Sequence, residues 1–201
     1  MTDYILSKDI NLSQSISEYM GNILVFSINN EIEKNASIEI INYYLDKYPV
    51  EISKKWSQME YIHNIFYILV NNSNEIIKLF IEKEVITKFI DFILEKESPL
   101  YKGDERYDNK GTKGKLDPLI KTIGIIYQYY INHKNEIKLS DNDEKMINNI
   151  SFYEKIIKEG YDAKWCNILI DELIKIQLDN NEPNNEEYLN ILIRLKLPLV
   201  K

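Results

Sequence analysis

Apolar residues return at intervals of three and four through most of the chain, and short polar breaks separate the runs. That spacing places one face of a helix against a core, so helices are expected throughout. Residues 1–12 read as an irregular lead-in. Ser13 is a suitable N-cap, since its hydroxyl can accept from a free amide in the first turn. Ile16, Tyr19, Met20, Ile23, Leu24 and Ser27 then form a stripe that stops at Asn29 and Asn30. Gly21 inside this run should weaken the helix by about 1 kcal/mol relative to Ala. A second helix is predicted over Ser37–Lys47, with Ile40, Ile41, Tyr44 and Leu45 as its stripe. Pro49 closes it, because a residue before proline is pushed out of helical geometry.

The central stretch runs from Trp56 to Leu100. A helix over 53–71 presents Trp56, Met59, Ile62, Ile65, Phe66 and Leu69 on one face. Asn71, Asn72 and Ser73 break it, and Ser73 or Asn74 can cap a short helix with Ile76, Ile77, Phe80 and Ile81 buried. Glu82, Lys83 and Glu84 suit a tight corner. Val85–Leu94 follows with Val85, Ile86, Phe89, Ile90, Ile93 and Leu94 inward, and Pro99 lies beyond it. Later, Asp117 and Pro118 open a helix as cap and first helical residue. Its face is Leu119, Ile120, Ile123, Ile126, Tyr127, Tyr130 and Ile131, and His133 stands at its end. Ser140 opens another. Helices over 150–160, 163–176 and 186–197 complete the chain, with Gly160 and Pro198 as stops. The β-branched content is high, but the period is three and four and rarely two, so helix is favoured over strand.

Short helices joined by tight corners, each too small to bury its own face, predict an all-α fold: an armadillo/HEAT-like α-solenoid of short stacked helices. No strict sequence period accompanies the pattern. Residues 1–201 are expected to form a single helical-repeat domain, with a polar loop at 101–116 and a sub-boundary that could fall at 134–140. Leu199 and Val200, apolar near the terminus, fit a superhelix that continues.

One part of the chain goes further than periodicity. A Trp at position 56, an aromatic-rich helix, a polar break, a short helix and then Phe89-Ile90-Asp91-Phe92 with Leu94, closing on Ser98 and Pro99, resembles the non-catalytic helical region of the very large ubiquitin-specific proteases. The likeness covers roughly 53–133, and more weakly 145–175. In that family an armadillo-like segment flanks the catalytic domain on its C-terminal side. The resemblance implies a scaffold and transfers no catalytic residue. The partners it implies are a deubiquitinase catalytic domain, a ubiquitin-pathway protein or a substrate.

Composition narrows the alternatives. Hydrophobic residues make up 44% of the chain, enough for a sizeable core. No apolar run approaches a transmembrane span, so no membrane partner is expected. Met1 to Ile10 include Asp3 and Asp9 without an apolar core, so no signal peptide is expected. The net charge of −7 argues against nucleic acid, which calls for a basic footprint. The single cysteine excludes an internal disulfide and suits a reducing compartment, so a cytoplasmic (or nuclear) location is expected.

Candidate chemistry is sparse. Gly111-Thr112-Lys113-Gly114-Lys115 has a phosphate-loop flavour, but Leu116 stands where Ser or Thr is needed and no strand precedes it. If the polar loop has a task it is a partner contact, with Tyr101, Arg106, Tyr107, Lys113 and Lys115 as the contacting residues. The acids from Asp141 to Glu144 lack the glycine and glutamate of a calcium loop and read as first-turn acids. A thiol enzyme would need Cys166 beside His63 or His133, yet Cys166 falls on an apolar helix face and His63 sits beside Met59, Phe66 and Tyr67. Asp171 and Glu172 read as a solvated edge. These two histidines and one cysteine give no metal-ligand spacing, so neither metal nor cofactor is expected. The 15 tyrosines suit the rim of a helix core and also a protein interface. The functional expectation is a non-catalytic scaffold like the protease segment, or else a free-standing helical adaptor unrelated to ubiquitin.

Overall fold

In the computed structural model, the structure describes residues 14–28, 34–48, 56–94, 113–159, 163–179 and 186–196. Among these residues the protein is all-helical, with no strand. The helices are α1 (Gln14–Ile28), α2 (Lys34–Lys47), α3 (Trp56–Asn72), α4 (Asn74–Glu82), α5 (Val85–Leu94), α6 (Lys113–Asn132), α7 (Asp141–Ile147), α8 (Ile150–Glu159), α9 (Ala163–Asp179) and α10 (Glu186–Lys196).

The boundaries follow local chemistry. Ser73 is the N-cap of α4, its Oγ accepting from the Ile76 amide at 3.4 Å. At the corner into α5, the Lys83 amide bonds Leu79 O at 3.0 Å and the Glu84 amide bonds Ile81 O at 3.1 Å. Glu84 takes φ 52°, a left-handed conformation that a side chain makes costly. Ser140 caps α7 by accepting from the Asp143 amide at 3.1 Å.

Two starts differ from the pattern. α2 begins at Lys34, a turn before Ser37, which is buried inside the helix. α6 begins at Lys113 rather than at Asp117, with Pro118 inside it. Residues 113–116 are therefore helix, not loop. The first four amides of any helix lack a ladder acceptor. Proline this close to the start forfeits one bond, to the Gly114 carbonyl. The Pro118 carbonyl is used, accepting from the buried Thr122 hydroxyl at 2.7 Å.

The longer helices pack in chain order: α1 against α3, α3 against α6, α6 against α9, and α9 against α10. The shorter ones form a second set. Lys88 of α5 donates to Leu45 O of α2 at 3.3 Å, α5 packs on α7 and α8, and α8 meets α10. Gly21 permits a close approach of α1 to α3. A Cβ there would lie 3.0 Å from Cδ1 and Cγ2 of Ile68. The helical cost foreseen for Gly21 is thus offset by close α1–α3 packing.

One contiguous apolar cluster runs from Leu24 to Leu192. Its aromatic centre is Phe66, stacked on Phe89 at 5.4 Å and edge-on to Phe80 at 5.6 Å. Phe92, outside the stripe foreseen for its helix, is also buried, against Tyr48 and His63. Ile23, expected inward, is 39% exposed, while Ser27 and Ile28 on the same helix are buried. Leu139 is buried in this cluster too, so the 134–140 connection is tied to the core.

Candidate functional site

Cys166 lies on the inner face of α9, fully buried like Leu169, Ile170 and Leu173. His63 is 1% exposed. It shares a hydrogen bond with the Tyr48 hydroxyl at 3.2 Å, and its ring meets Tyr48 and Phe92 edge-on at 5.8 and 5.7 Å. His63 is thus a fully buried core histidine, deeper than its sequence neighbours suggested. His133 closes α6. Its Nδ1–H donates to Tyr129 O at 2.8 Å and its ring stacks on Tyr129 at 4.1 Å. A carbonyl left over in the last turn is satisfied in this way.

Asp171 and Glu172 each hold a lysine at the surface. Asp171 pairs with Lys196 of α10, and Glu172 pairs with Lys175 at 2.6 Å. Such pairs are exposed and contribute little.

Asp143 is the group the sequence did not reveal. Three acids occupy the first turn of α7, as the spacing predicted. Asp141 and Glu144 are exposed, but Asp143 is fully buried. Its Oδ1 accepts from the Thr87 amide at 2.8 Å and the Thr87 hydroxyl at 2.6 Å. Thr87 is the third residue of α5, where an amide has no acceptor within its own helix. Asp143 therefore caps α5 from another helix, across 56 residues of chain. Burial raises its pKa above the ordinary carboxylate value, the two Thr87 bonds pull it down, and Glu84 pushes it up again. Its Oδ2 has no hydrogen-bond partner. No sequence signal marks this role, because an acid three residues after a capping serine looks the same whether it faces solvent or another helix.

Tyrosines close the far side. Tyr153 donates to Ile147 O at 2.7 Å, and Tyr188 of α10 donates to Asn148 O at 3.1 Å. Burial pushes the Tyr188 phenol up to about 12 and raises Tyr127 and Tyr153 as well. These hydroxyls end helices and join them.

Of the five residues expected to contact a partner, Tyr101, Arg106 and Tyr107 lie outside the described residues. Lys113 and Lys115 belong to the first turn of α6, so they stand on a helix and not in a loop. Among the described residues no group of three His, Cys, Asp or Glu side chains is placed to hold a metal ion, and no helix is long and apolar enough to cross a membrane. Large apolar side chains do reach the surface at Ile23 and Phe26 of α1, at Leu178 of α9 and at Ile193 of α10. No protein-family model, no curated protein and no solved structure matches the chain.

Proposed function

We propose that the chain is a non-catalytic helical scaffold that binds another protein through its outer surface. The supporting observation is where the reactive groups have gone. Cys166, His63 and Asp143 are 0%, 1% and 0% exposed, and each is taken up by packing or capping. A nucleophile or a general base acts only where a substrate can reach it. What remains for function is the surface of the helix stack.

The packing order fits an armadillo- or HEAT-like solenoid. The helices α1, α3, α6 and α9 succeed one another, backed by α2, α4–α5, α7–α8 and α10. In such a stack each unit touches its neighbours, and the continuous outer face serves for binding. The resemblance over 53–133 extends the reading to a segment beside the catalytic domain of a very large ubiquitin-specific protease. That domain, a ubiquitin-pathway protein or a substrate is then the partner. Phe26 at 68% exposure and Ile193 at 43% offer apolar contact near opposite ends of the helix order.

The test replaces Phe26 and Ile193, one at a time, with a photo-crosslinking amino acid in the source cells. Crosslinks to a ubiquitin-specific protease chain or to ubiquitin conjugates are expected. Crosslinks only to proteins unconnected with ubiquitin would favour the free-standing adaptor. Turnover of a ubiquitin reporter by the chain alone would overturn the non-catalytic reading.

A further inference from the structure

The corner between α4 and α5 and the connection leading into α7 enclose a groove of about 740 Å³. Its apolar lining is the half-buried Ile137 with the buried Ile81 and Leu139, and these form the floor on which a ligand would rest. Its rim is acidic. Glu82, Glu84, Glu136 and Asp141 stand around it, against Lys78 and Lys138. Among the described residues no lysine or arginine forms an ion pair with any of these four carboxylates. Ser140, the N-cap of α7, lines the groove beside Asp141.

The spread of the acids narrows the ligand. No three of them converge as a metal site would require. A point cation is therefore a poor match, and an anionic ligand would meet like charge on most of the rim. A ligand that fits must carry several positive charges set apart from one another, with apolar groups between them for the floor. We infer that this groove binds a basic peptide segment of a partner protein, one in which Lys or Arg side chains flank one or two aliphatic residues. The inference rests on the scaffold reading and assigns the chemistry of its partner. Exposed ion pairs are individually weak. Selectivity would come from the matched charge pattern, and contact with the floor would add affinity.

The probe is a fluorescent peptide of repeated Arg-Arg-Leu units, with a Glu-Glu-Leu peptide as control. Binding to the full chain is followed by anisotropy at low and moderate salt. The arginine peptide should bind and should weaken as salt rises, because the charges lie at the surface. The double variant Glu82→Lys and Glu136→Lys should weaken binding by about tenfold or more, since two attractions become repulsions. A second double variant, Glu154→Lys and Glu186→Lys, makes the same change in net charge on α8 and α10, and both of its positions are exposed. It should alter binding by less than about twofold. Helix content by circular dichroism confirms that each variant is folded. Equal losses in the two variants would reduce the effect to overall acidity and overturn the inference, as would absence of binding at millimolar peptide. The crosslinks at Phe26 and Ile193 test the scaffold reading independently of this groove, so the two failures are distinguishable.

Discussion

Replacing Asp143 with Ala removes the cap that α5 receives from α7. Two bonds are lost, from the Thr87 amide at 2.8 Å and its hydroxyl at 2.6 Å. The hydroxyl can turn toward a carbonyl one turn back, as threonine does in helices. The amide cannot, because its position in the first turn leaves it without an acceptor. A buried donor left unpaired costs about 1–3 kcal/mol. Loss of the buried carboxylate relieves some desolvation, which works in the other direction. The net expectation is destabilisation of about 1.5–3 kcal/mol, read from urea unfolding by circular dichroism. Asp143→Asn keeps an oxygen for Thr87 and should lie within about 1 kcal/mol of the parent. Thr87→Val paired with Asp143→Ala should show a coupling of about 1 kcal/mol in a double-mutant cycle. Hydrogen exchange supplies a local readout: the Thr87 amide should lose protection in Asp143→Ala more than the amides of α3 do. A variant within about 0.5 kcal/mol of the parent, with the Thr87 amide still protected, would refute the cross-helix cap. The pH dependence has a definite sign. The folded pKa of Asp143 is raised above its unfolded value of 3.8. The stability tied to its protonated form is therefore fully present below 3.8 and is lost as pH rises through the higher folded value. On acidification through that window the parent should gain stability relative to Asp143→Asn.

Gly21→Ala gains about 1 kcal/mol of helix propensity but drives a methyl against Ile68, and overpacking costs about 1–3 kcal/mol. Cδ1 and Cγ2 of Ile68 lie 3.0 Å and its Cβ 3.1 Å from the new atom, so a lower melting temperature is expected; in an Ile68→Ala background, which removes Cδ1 and Cγ2 but keeps the Cβ, the same change should lower it less. Glu84→Gly should stabilise the fold by about 0.5–1 kcal/mol in urea unfolding, because φ 52° strains a side chain and not a glycine. Tyr188, raised to about 12, stabilises the fold while its phenol is neutral. That contribution is full below its unfolded value of 10.0 and is lost as pH rises toward 12, so alkaline unfolding should be less steep in Tyr188→Phe.

The helical pattern was legible wherever a stripe had a chemical stop. Val85–Leu94 and the Ser73 cap fall where spacing and capping residues put them. One miss is local, and the others share a cause: a neighbour on another helix decides what a local rule leaves open. Asp117-Pro118 has the local chemistry of a helix start, yet α6 begins a turn earlier, since a proline so near the N-terminus costs a single ladder bond. Ile23 belongs to a three-and-four stripe, yet on α1 Leu24, Ser27 and Ile28 are buried while Ile23 is exposed, with Gly21 against Ile68 of α3. Phe92 stands three residues after Phe89 and seven after Val85, at the edge of the stripe and not within the expected face; Tyr48, just past α2, packs on it at 5.5 Å. Asp143 carries the lesson furthest. Its residue type and position predicted a first-turn acid, which it is, and only the proximity of α5 makes it a buried cap. Any partner surface on this chain obeys the same logic. The acids of the groove come from the α4–α5 corner and from residues 136–141, segments that nothing in the linear sequence brings together. Peptide recognition there depends on the α5–α7 contact that Asp143 secures, so Asp143→Ala should weaken binding of the arginine peptide even though Asp143 itself does not line the groove. Unchanged affinity in that variant would mean that the two walls of the groove hold their positions without the cap.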